Sequence, residues 1–300
     1  MKCDLHVHSV HSGACTTPVF RHFCRESYSD PEELYARLKS RGMGLVTLTD
    51  HDSIDGLEAL RCHPEFFISE EVTCRMPSGT EVHIGVYDIM EAQHLQIQSR
   101  RNDLLSLLMY LTEKRIFFVL NHAFSNLTGR RDSDDFMWFE AYFQAMETEN
   151  SLLPPAANRC ALSFAKSTGK TAIGGSDAHT LVSAGGAFTD VPGARTKEEF
   201  FAGLREGRGT PGGGLGTLGG RWLKLTRDVL LVAASMMREK PSTAALAPAV
   251  ALLPLVMLGQ TLHATAFAWL WGKRAERMRG ESRLRMPWEI EAGQEALSWP

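Results

Sequence analysis

The 300-residue sequence lacks an excess of charge of either sign, since 32 basic side chains stand against 35 acidic ones. It therefore carries no global positive field of the kind that attracts nucleic acid or an anionic membrane, although a local basic patch stays open. It also lacks a CxxC pair among its six cysteines and an apolar signal region at its N-terminus. These absences predict a cytoplasmic protein with reduced thiols. A hydrophobic content of 44% excludes a disordered chain.

Short apolar segments alternate with helical patterns over the first two thirds of the chain, without an internal repeat. Residues 2–8, 43–49 and 116–120 are typical of strands, and residues 93–114 carry the apolar spacing of a helix. The run Asp30-Pro31-Glu32-Glu33 is typical of a helix start. This alternation predicts an α/β fold with a mainly parallel sheet, in the form of a barrel.

The composition changes after the last of these helices. Residues 207–220 contain eight glycines, which indicates a linker, and residues 241–272 contain no charged residue. The second run is long enough to cross a bilayer, but Pro248 and Pro254 interrupt it. We therefore expect residues 211–300 to form a Gly-rich linker and an apolar helical extension. A helical hairpin packed on the main domain is favoured over membrane contact through the charge-free run.

Polar side chains gather at the C-terminal ends of the predicted strands. Because these ends converge on one face of a parallel sheet, and side chains two residues apart point the same way, we expect them to meet. Six of the eleven histidines belong to this set. Imidazole and carboxylate donors suit Zn²⁺, Mn²⁺ or Fe²⁺, and the set is too large for one ion. The set comprises His6, His8, Asp50, His51, Glu71, His83, His122, Asp177 and His179.

Several of these residues lie in motifs that resemble those of the PHP (polymerase and histidinol phosphatase) family. The resemblance spans about residues 1–210, in order and with suitable spacing, and implies a distorted (β/α)7 TIM-like barrel of the PHP type with phosphoesterase activity. Family substrates include small phosphate esters, nucleotide phosphates and short oligonucleotides. The matching motifs are DLHVHS (4–9), TDHD (49–52), EEVT (70–73), EVHIGVYD (81–88), NHAF (121–124) and GGSDAH (174–179), with further likeness around Glu147-Thr-Glu-Asn150 and Asn158.

The resemblance also implies a ligand set for two to three divalent transition metals per chain. A first metal would be held by His6, His8, Glu71 and Asp177, a second by His83, His122 and a bridging Glu71, and a third by His51 and His179. A water or hydroxide between metals would attack phosphorus. The candidate catalytic residues are Asp50, His51, Glu71 and Asp177, although Asp50 flanks a ligand and also fits the role of an orienter.

One motif departs from the family pattern. Family members commonly read HSxxSDG, in which the aspartate binds the third metal, whereas this chain has Gly13 at that position. Glycine has no side-chain ligand, so the third position is short of one unless His11 or a residue of the following insertion, 14–29, substitutes. We expect the insertion mainly to act as a lid that shapes specificity.

The predicted function is hydrolysis of a small or nucleotide phosphate ester. Arg130 and Arg131 follow His122 on the same face and are candidates for binding the phosphate, with a solvated surface pair as an equal alternative. A 5′–3′ exonuclease on short single strands would use the same cluster, but the acidic overall charge favours a small substrate over nucleic acid. A non-catalytic PHP-like binding domain is a third alternative, supported by Gly13 alone.

Overall fold

The computed structural model describes residues 1–15, 22, 24–213 and 216–281. Within these residues the chain is an α/β protein with two β-sheets. The larger sheet has five strands in the order β2-β3-β4-β5-β6, and the smaller has three in the order β1-β7-β8. The strands are β1 (Lys2–Cys3), β2 (Ser69–Arg75), β3 (Glu81–Tyr87), β4 (Phe117–Leu120), β5 (Ala145–Asn150), β6 (Thr171–Gly175), β7 (Ala187–Asp190) and β8 (Thr210–Gly213).

The helices begin largely where the sequence signals predict them. The side chain of Asp30 caps α1 by accepting hydrogen bonds from two first-turn amides, which confirms the predicted helix start. The predicted helix over 93–114 is instead two helices, because Asp103 caps a new one. The helices are α1 (Pro31–Ser40), α2 (Leu57–Leu60), α3 (Glu91–Arg100), α4 (Leu104–Glu113), α5 (Ser133–Tyr142), α6 (Pro155–Ser167), α7 (Lys197–Arg205), α8 (Leu218–Glu239), α9 (Ala247–Val250) and α10 (Leu253–Glu281).

The prediction of a mainly parallel sheet is wrong. Strands β2, β3 and β4 pair antiparallel, whereas β4–β5 and β5–β6 are parallel, and the smaller sheet is antiparallel. The reason lies in a tight turn between β2 and β3, where Met76 N bonds to Thr80 O at 2.8 Å and Gly79 has a φ of 84°. A connection this short permits only antiparallel pairing.

No sheet closes on itself among the described residues, so the expected closed barrel is not observed. Residues 4–8 and 45–51 are linked to their neighbours through single parallel bridges rather than through ladders. The backbone is left-handed next to two of these bridges, at Asp52 (φ 52°) after the His51–Glu71 bridge and at Asp177 (φ 55°) before the Val7–Ala178 bridge. Backbone hydrogen bonds still join these segments, from Thr49 N to Val7 O (2.8 Å), Glu71 N to Asp50 O (3.1 Å) and Asp177 N to His6 O (2.7 Å).

Buried apolar side chains on both faces of the larger sheet hold this frame. The strand predicted from its apolar run, β4, is buried on both sides. Phe118 and Leu120 pack in a cluster that also contains residues of α4, α5 and α6. Phe117 and Val119 pack in a second cluster that contains residues of α7. Burial of apolar area stabilises the folded state by about 25 cal/mol per Å². These clusters therefore hold the strands, and the polar residues at their ends, in fixed positions.

The glycine-rich run, which we expected to be a linker, contributes a strand. Residues 210–213 form β8 and pair with β7. The two strands lie so close that a Cβ on Gly213 would be 2.6 Å from the Cα of Ala187. Glycine is needed here for close backbone approach rather than for flexibility. Residues 214 and 215 lie outside the described part, and the domain boundary near residue 210 stays a prediction.

Helices α8 and α10 contact one another, and α9 with Pro248 lies between them. This pair differs from the predicted hairpin, because α8 precedes the charge-free run and the run itself contributes only one long helix, α10. The indole of Trp222 on α8 donates to Pro254 O at 3.0 Å. Helix α8 is also fixed to the larger sheet, since Arg221 forms a buried ion pair with Glu149 of β5. These contacts make the helical extension part of the packed structure.

The outer face of α10 stays exposed. By length and composition the helix could cross a membrane over Leu253–Met278, and 17% of its most apolar window is buried. Its inner face packs on α6, where a Cβ on Gly272 would lie 2.4 Å from Cys160 Sγ. Residues 282–300 of the predicted extension lie outside the described chain. The exposed apolar side chains include Leu255, Val256, Leu262, Trp269 and Leu270.

Candidate metal centre

Six imidazoles meet at one place in the structure, as their positions at strand ends predict. Five of them form a closed ring in which each centroid lies 4.6 to 5.6 Å from the next. The sixth, His179, stacks on His8 at 4.5 Å. In order around the ring, the five are His6, His8, His51, His83 and His122.

The carboxylate of Glu71 lies at the centre of this ring. Its two oxygens contact all five imidazoles, which is the geometry expected of a bridging ligand. The adjacent Glu70 faces the other side of β2, where His94 and Gln98 bond to it. Oε1 of Glu71 lies 3.2 Å from His6 Nε2, 3.2 Å from His122 Nε2 and 3.4 Å from His83 Nδ1, and Oε2 lies 3.2 Å from His51 Nδ1 and 3.4 Å from His8 Nε2.

Asp177 supplies a second carboxylate to the same place. Its Oδ1 lies 3.5 Å from His6 Nε2 and 3.4 Å from His8 Nε2. Both Asp177 (φ 55°) and His122 (φ 30°) have left-handed backbone conformations. Such conformations cost on the order of 1–3 kcal/mol in residues other than glycine and cluster at functional sites. The strain here falls on two predicted ligands.

The inward-facing atoms of the cluster fit divalent metals. Several are buried without a hydrogen-bond partner among the described residues, and each such atom costs about 1–3 kcal/mol unless a cation accepts its lone pair. They include Nε2 of His6, His8 and His179, Nδ1 of His51 and His83, and Oε2 of Glu71. Within the cluster, four groups have ligand atoms within 4.8 Å of one another: His6–His8–Asp177, His6–Glu71–His122, His51–Glu71–His83 and His8–His51–His179.

Burial disfavours the charged form of an imidazole, whereas a neighbouring carboxylate favours it. The balance between the two effects differs among the histidines of the ring. At His51 burial prevails and lowers the pKa to about 3, and burial also lowers the pKa of His8. At His83 the carboxylates of Glu71 and Glu81 outweigh burial and raise the pKa to about 10. Burial likewise opposes ionisation of Glu71, but the imidazoles hold its pKa well below the usual range. Glu71 is therefore ionised at neutral pH, the state in which a carboxylate binds metal.

A buried network behind the ring fixes two of its members. Glu147 Oε1 lies 2.9 Å from His6 Nδ1, and Glu147 Oε2 accepts from His122 N at 3.0 Å. The side-chain amide of Asn150 donates to Glu147 Oε2 (3.1 Å) and to Asp177 Oδ2 (3.0 Å). Such contacts set the orientation of metal ligands and the ring nitrogen that they present.

Asp50 lies behind the ring rather than in it. Its Oδ1 accepts from Ser12 Oγ and its Oδ2 from Ser9 Oγ, both at 2.6 Å. Ser12 Oγ in turn lies 3.0 Å from His8 Nδ1. Both of its oxygens are engaged by serines, which favours the role of an orienter, and direct participation of Asp50 in catalysis stays a prediction. The structure places it as an orienter, acting on His8 rather than on the adjacent His51; the part played by Ser12 was missed.

The two candidate substrate arginines lie in different environments. Arg131 is buried, and its guanidinium donates to Ala123 O (2.9 Å), Glu81 O (3.0 Å) and Thr128 Oγ1 (2.7 Å). These acceptors hold the guanidinium inside the fold and favour a structural role, and substrate binding by Arg131 stays a prediction. Arg130 is exposed and stays a candidate.

The insertion after Gly13 contributes a residue that the motif comparison missed. Glu26 Oε1 lies 3.2 Å from His179 Nε2. His11, one of the two alternatives for completing the third position, is exposed. The only indication of Glu26 in the sequence was the presence of a carboxylate in the insertion. Residues 16–21 and 23 of the insertion lie outside the described chain, so its role as a lid stays a prediction.

Comparison with known proteins gives one family match, over residues 155–208, to the model PHP_C, described as PHP-associated. No curated protein matches the chain significantly. The crystal structure of PsfC from Pseudomonas syringae PB-5123 is similar in fold, with a TM-score of 0.53 and 17% identity, covering 79% of this chain and 98% of that one.

Two further solved structures are more weakly similar. A candidate metal-dependent phosphoesterase from Bifidobacterium adolescentis ATCC 15703 has a TM-score of 0.40 and 14% identity, over 60% of this chain and 88% of that one. An amidohydrolase from Chromobacterium violaceum, with bound sulfate and no metal, has a TM-score of 0.46 and 18% identity, over 69% and 97%.

Proposed function

We propose that this chain, a PHP-domain protein, is a metal-dependent phosphoesterase that hydrolyses a small or nucleotide phosphate ester. The observation that carries the proposal is the contact of one carboxylate, Glu71, with five imidazoles. A shared carboxylate lets two or three metals lie a few ångströms apart, and such clusters are used for phosphoryl transfer to water. The single bridges around residues 4–8 and 45–51 support a distorted barrel of the PHP type as the frame.

The side-chain groups support the proposed division of ligands in part. His6, His8 and Asp177 form one group, in agreement with the first proposed metal position. Glu71 belongs to two groups, one with His6 and His122 and one with His51 and His83, as a carboxylate shared between two metals would. His83 and His122, assigned together to the second position, fall in different groups. When bound, the metals would lower the pKa of water and withdraw charge from the phosphoryl oxygens.

The chain itself contributes preorganisation. Glu147 fixes the ring of His6, and the pair Ser12–Asp50 fixes that of His8. The amide of Asn121 donates to Glu71 Oε1 at 2.9 Å. Because these groups are buried and already hydrogen-bonded, the donor atoms need little rearrangement during the reaction, which is the main source of electrostatic catalysis.

A small ester is the proposed substrate rather than a long nucleic acid. The net charge of −3 gives no general attraction for a polyanion. Arg130, exposed in the loop between β4 and α5, is the proposed contact for a single phosphate. We also propose a cytoplasmic location, which is supported by free thiols at Cys3, Cys24, Cys62, Cys74 and Cys160.

The test is a substrate panel with purified, Mn²⁺- or Zn²⁺-loaded protein. The panel contains phosphate monoesters, a phosphodiester, a 5′-phosphorylated oligonucleotide and simple amides. We expect hydrolysis of phosphate esters, and loss of it in Glu71→Gln. Turnover of amides without turnover of any phosphate ester would reject the proposal, and turnover of the oligonucleotide alone would favour the exonuclease.

A further inference from the structure

The insertion after the first motif returns to its starting point. Glu26 N donates to Gly13 O at 3.0 Å, and Cys15 N donates to Cys24 O at 3.0 Å, so the two ends of the insertion pair as antiparallel strands do. Ala14 and Arg25 form the bridge between these bonds. Glu26 is thus held directly beside Gly13, the position at which the motif would otherwise carry an aspartate.

Gly13 itself is poorly suited to carry a ligand. Its φ of 77° and ψ of −148° belong to a region that residues with a Cβ rarely adopt. An aspartate at this position would therefore strain the backbone. The carboxylate needed at this place has to come from a neighbouring segment, and Glu26 is the neighbour across the hydrogen bond.

The side chain of Glu26 points at the third group of imidazoles. Its Oε1 lies 3.2 Å from His179 Nε2, and both side chains are less than a fifth exposed. Ser27 Oγ donates to His179 O at 3.1 Å and holds the two segments together. The ligand nitrogens of His8, His51 and His179 lie within 4.8 Å of one another.

The hydrogen bond on the other side of the His179 ring determines what can lie between that ring and the Glu26 carboxylate. Nδ1 of His179 is 2.9 Å from Asp177 O, a carbonyl that can only accept. In the neutral ring Nδ1 therefore carries the hydrogen, and Nε2 presents a lone pair to the Glu26 carboxylate. A lone pair and a carboxylate at this distance need a cation between them, either a proton or a metal ion. Since ligand nitrogens of His8 and His51 also lie within 4.8 Å of a ring nitrogen of His179, the donor set exceeds what a proton uses.

We propose that Glu26 is the carboxylate ligand of a third metal position, together with His51 and His179. This inference rests on the proposed metal-dependent function. It gives the insertion a defined chemical task, namely to bring a carboxylate to the centre from outside the first motif.

The experiment is a metal-binding titration of the full chain with Mn²⁺ and with Zn²⁺, read as metal equivalents per chain by elemental analysis after equilibrium dialysis. We expect Glu26→Gln to bind one equivalent fewer than the unsubstituted protein, with its other sites unchanged. His11→Ala is the matched control and should bind the full number. Glu26→Asp keeps the charge and should retain the third equivalent with weaker affinity.

The outcomes distinguish the assignment of Glu26 from the proposed metal-dependent function. Full binding in Glu26→Gln, or loss of one equivalent in His11→Ala, overturns the assignment of Glu26 while the proposed function stands. No metal binding by the unsubstituted protein overturns both. Circular dichroism of the metal-free variants checks folding. If Glu26→Gln does not fold, the result rests on Glu26→Asp, in which an unchanged third affinity would count against direct ligation.

Discussion

His6 and Glu147 form a buried pair in which Nδ1 of the imidazole lies 2.9 Å from a carboxylate oxygen. This contact fixes the ring, so that Nε2 faces Glu71 and Asp177. Carboxylate–histidine pairs of this type orient metal ligands and raise their basicity. The pair therefore links a residue outside the cluster to the strength of metal binding.

We expect Glu147→Gln to weaken metal binding without abolishing it. The substitution keeps the side-chain volume but removes the charge behind His6, and changes of this type typically cost 10–100-fold in affinity. Metal dissociation constants measured by competition with a chelator check the prediction. Glu140→Gln, an exposed glutamate on α5, is the control and should bind normally. Equal affinities in the two variants would contradict the role of Glu147.

Glu71→Gln and Asp177→Asn should abolish hydrolysis while the protein stays folded. Each substitution removes a carboxylate charge from the centre, and loss of a bridging ligand is expected to lower kcat by about 10³-fold or more. Steady-state rates at saturating metal measure the effect. Glu91→Gln, an exposed change on α3, should retain full activity. Near-normal turnover in Glu71→Gln or Asp177→Asn would reject the assignment of that residue.

Metal removal should destabilise the protein. Since the cluster is assembled only in the folded chain, bound metal stabilises it by about 2.7 kcal/mol at a free concentration one hundredfold above Kd. For a domain of this size that corresponds to a Tm higher by roughly 5–10 °C. Thermal melts with chelator and with added Zn²⁺ or Mn²⁺ measure the difference. We expect elemental analysis of the gently purified protein to find about two or three equivalents, and a folded protein that takes up none would contradict the site.

Arg130 and Arg131 should respond differently to substitution. Arg131→Met is expected to lower the free energy of unfolding by about 2–3 kcal/mol, because two buried carbonyls and a threonine lose their donor. Its KM, measured on folded enzyme, should not change. Arg130→Ala should leave stability unchanged and raise KM. Denaturant titrations combined with steady-state kinetics separate the two effects, and the reverse pattern would restore Arg131 as the substrate contact.

Truncation after residue 240 should reduce solubility. Helix α10 covers aromatic residues of the main core, where Trp271 stacks on Phe136 at 5.9 Å. Removing it exposes that surface to solvent. Fractionation of cells that express the full and truncated chains provides the measurement, with Leu262→Ser on the exposed face as a control. Full-length protein in the membrane pellet, released by the truncation, would show instead that α10 is an anchor.

The ligand cluster was predictable because its chemistry repeats locally. His6 and His8, like Asp177 and His179, are two residues apart, and side chains at this spacing in an extended segment point the same way. Adjacent residues of a strand point to opposite faces, so Glu70 and Glu71 of β2 lie on opposite sides of the sheet. Short-range periodicity was sufficient for the two spaced pairs, whereas the choice of Glu71 over Glu70 came from the motif resemblance.

Of the features that were missed, one has a local signal and two depend on contacts between separate segments of the chain. The turn at Gly79 sets the antiparallel start of the larger sheet, although its Pro-Ser-Gly signal is visible in the sequence. The position of Glu26 depends on how the insertion returns to Gly13. Arg131 and Arg130 are adjacent and chemically identical, and only the packing of the loop against β3 buries one and exposes the other.

The buried ion pair between Arg221 and Glu149 has a consequence for folding during synthesis. The ribosome synthesises Glu149 72 residues before its cationic partner. A nascent chain that already contains every predicted metal ligand still carries a carboxylate in β5 without its cationic partner, and breaking a buried ion pair in this way is unfavourable by several kcal/mol. The same arginine donates to Asn150 O at 2.7 Å, next to the amide that holds Asp177. We therefore expect a chain stalled before α8 to hold these ligands in a less fixed geometry than the full chain does.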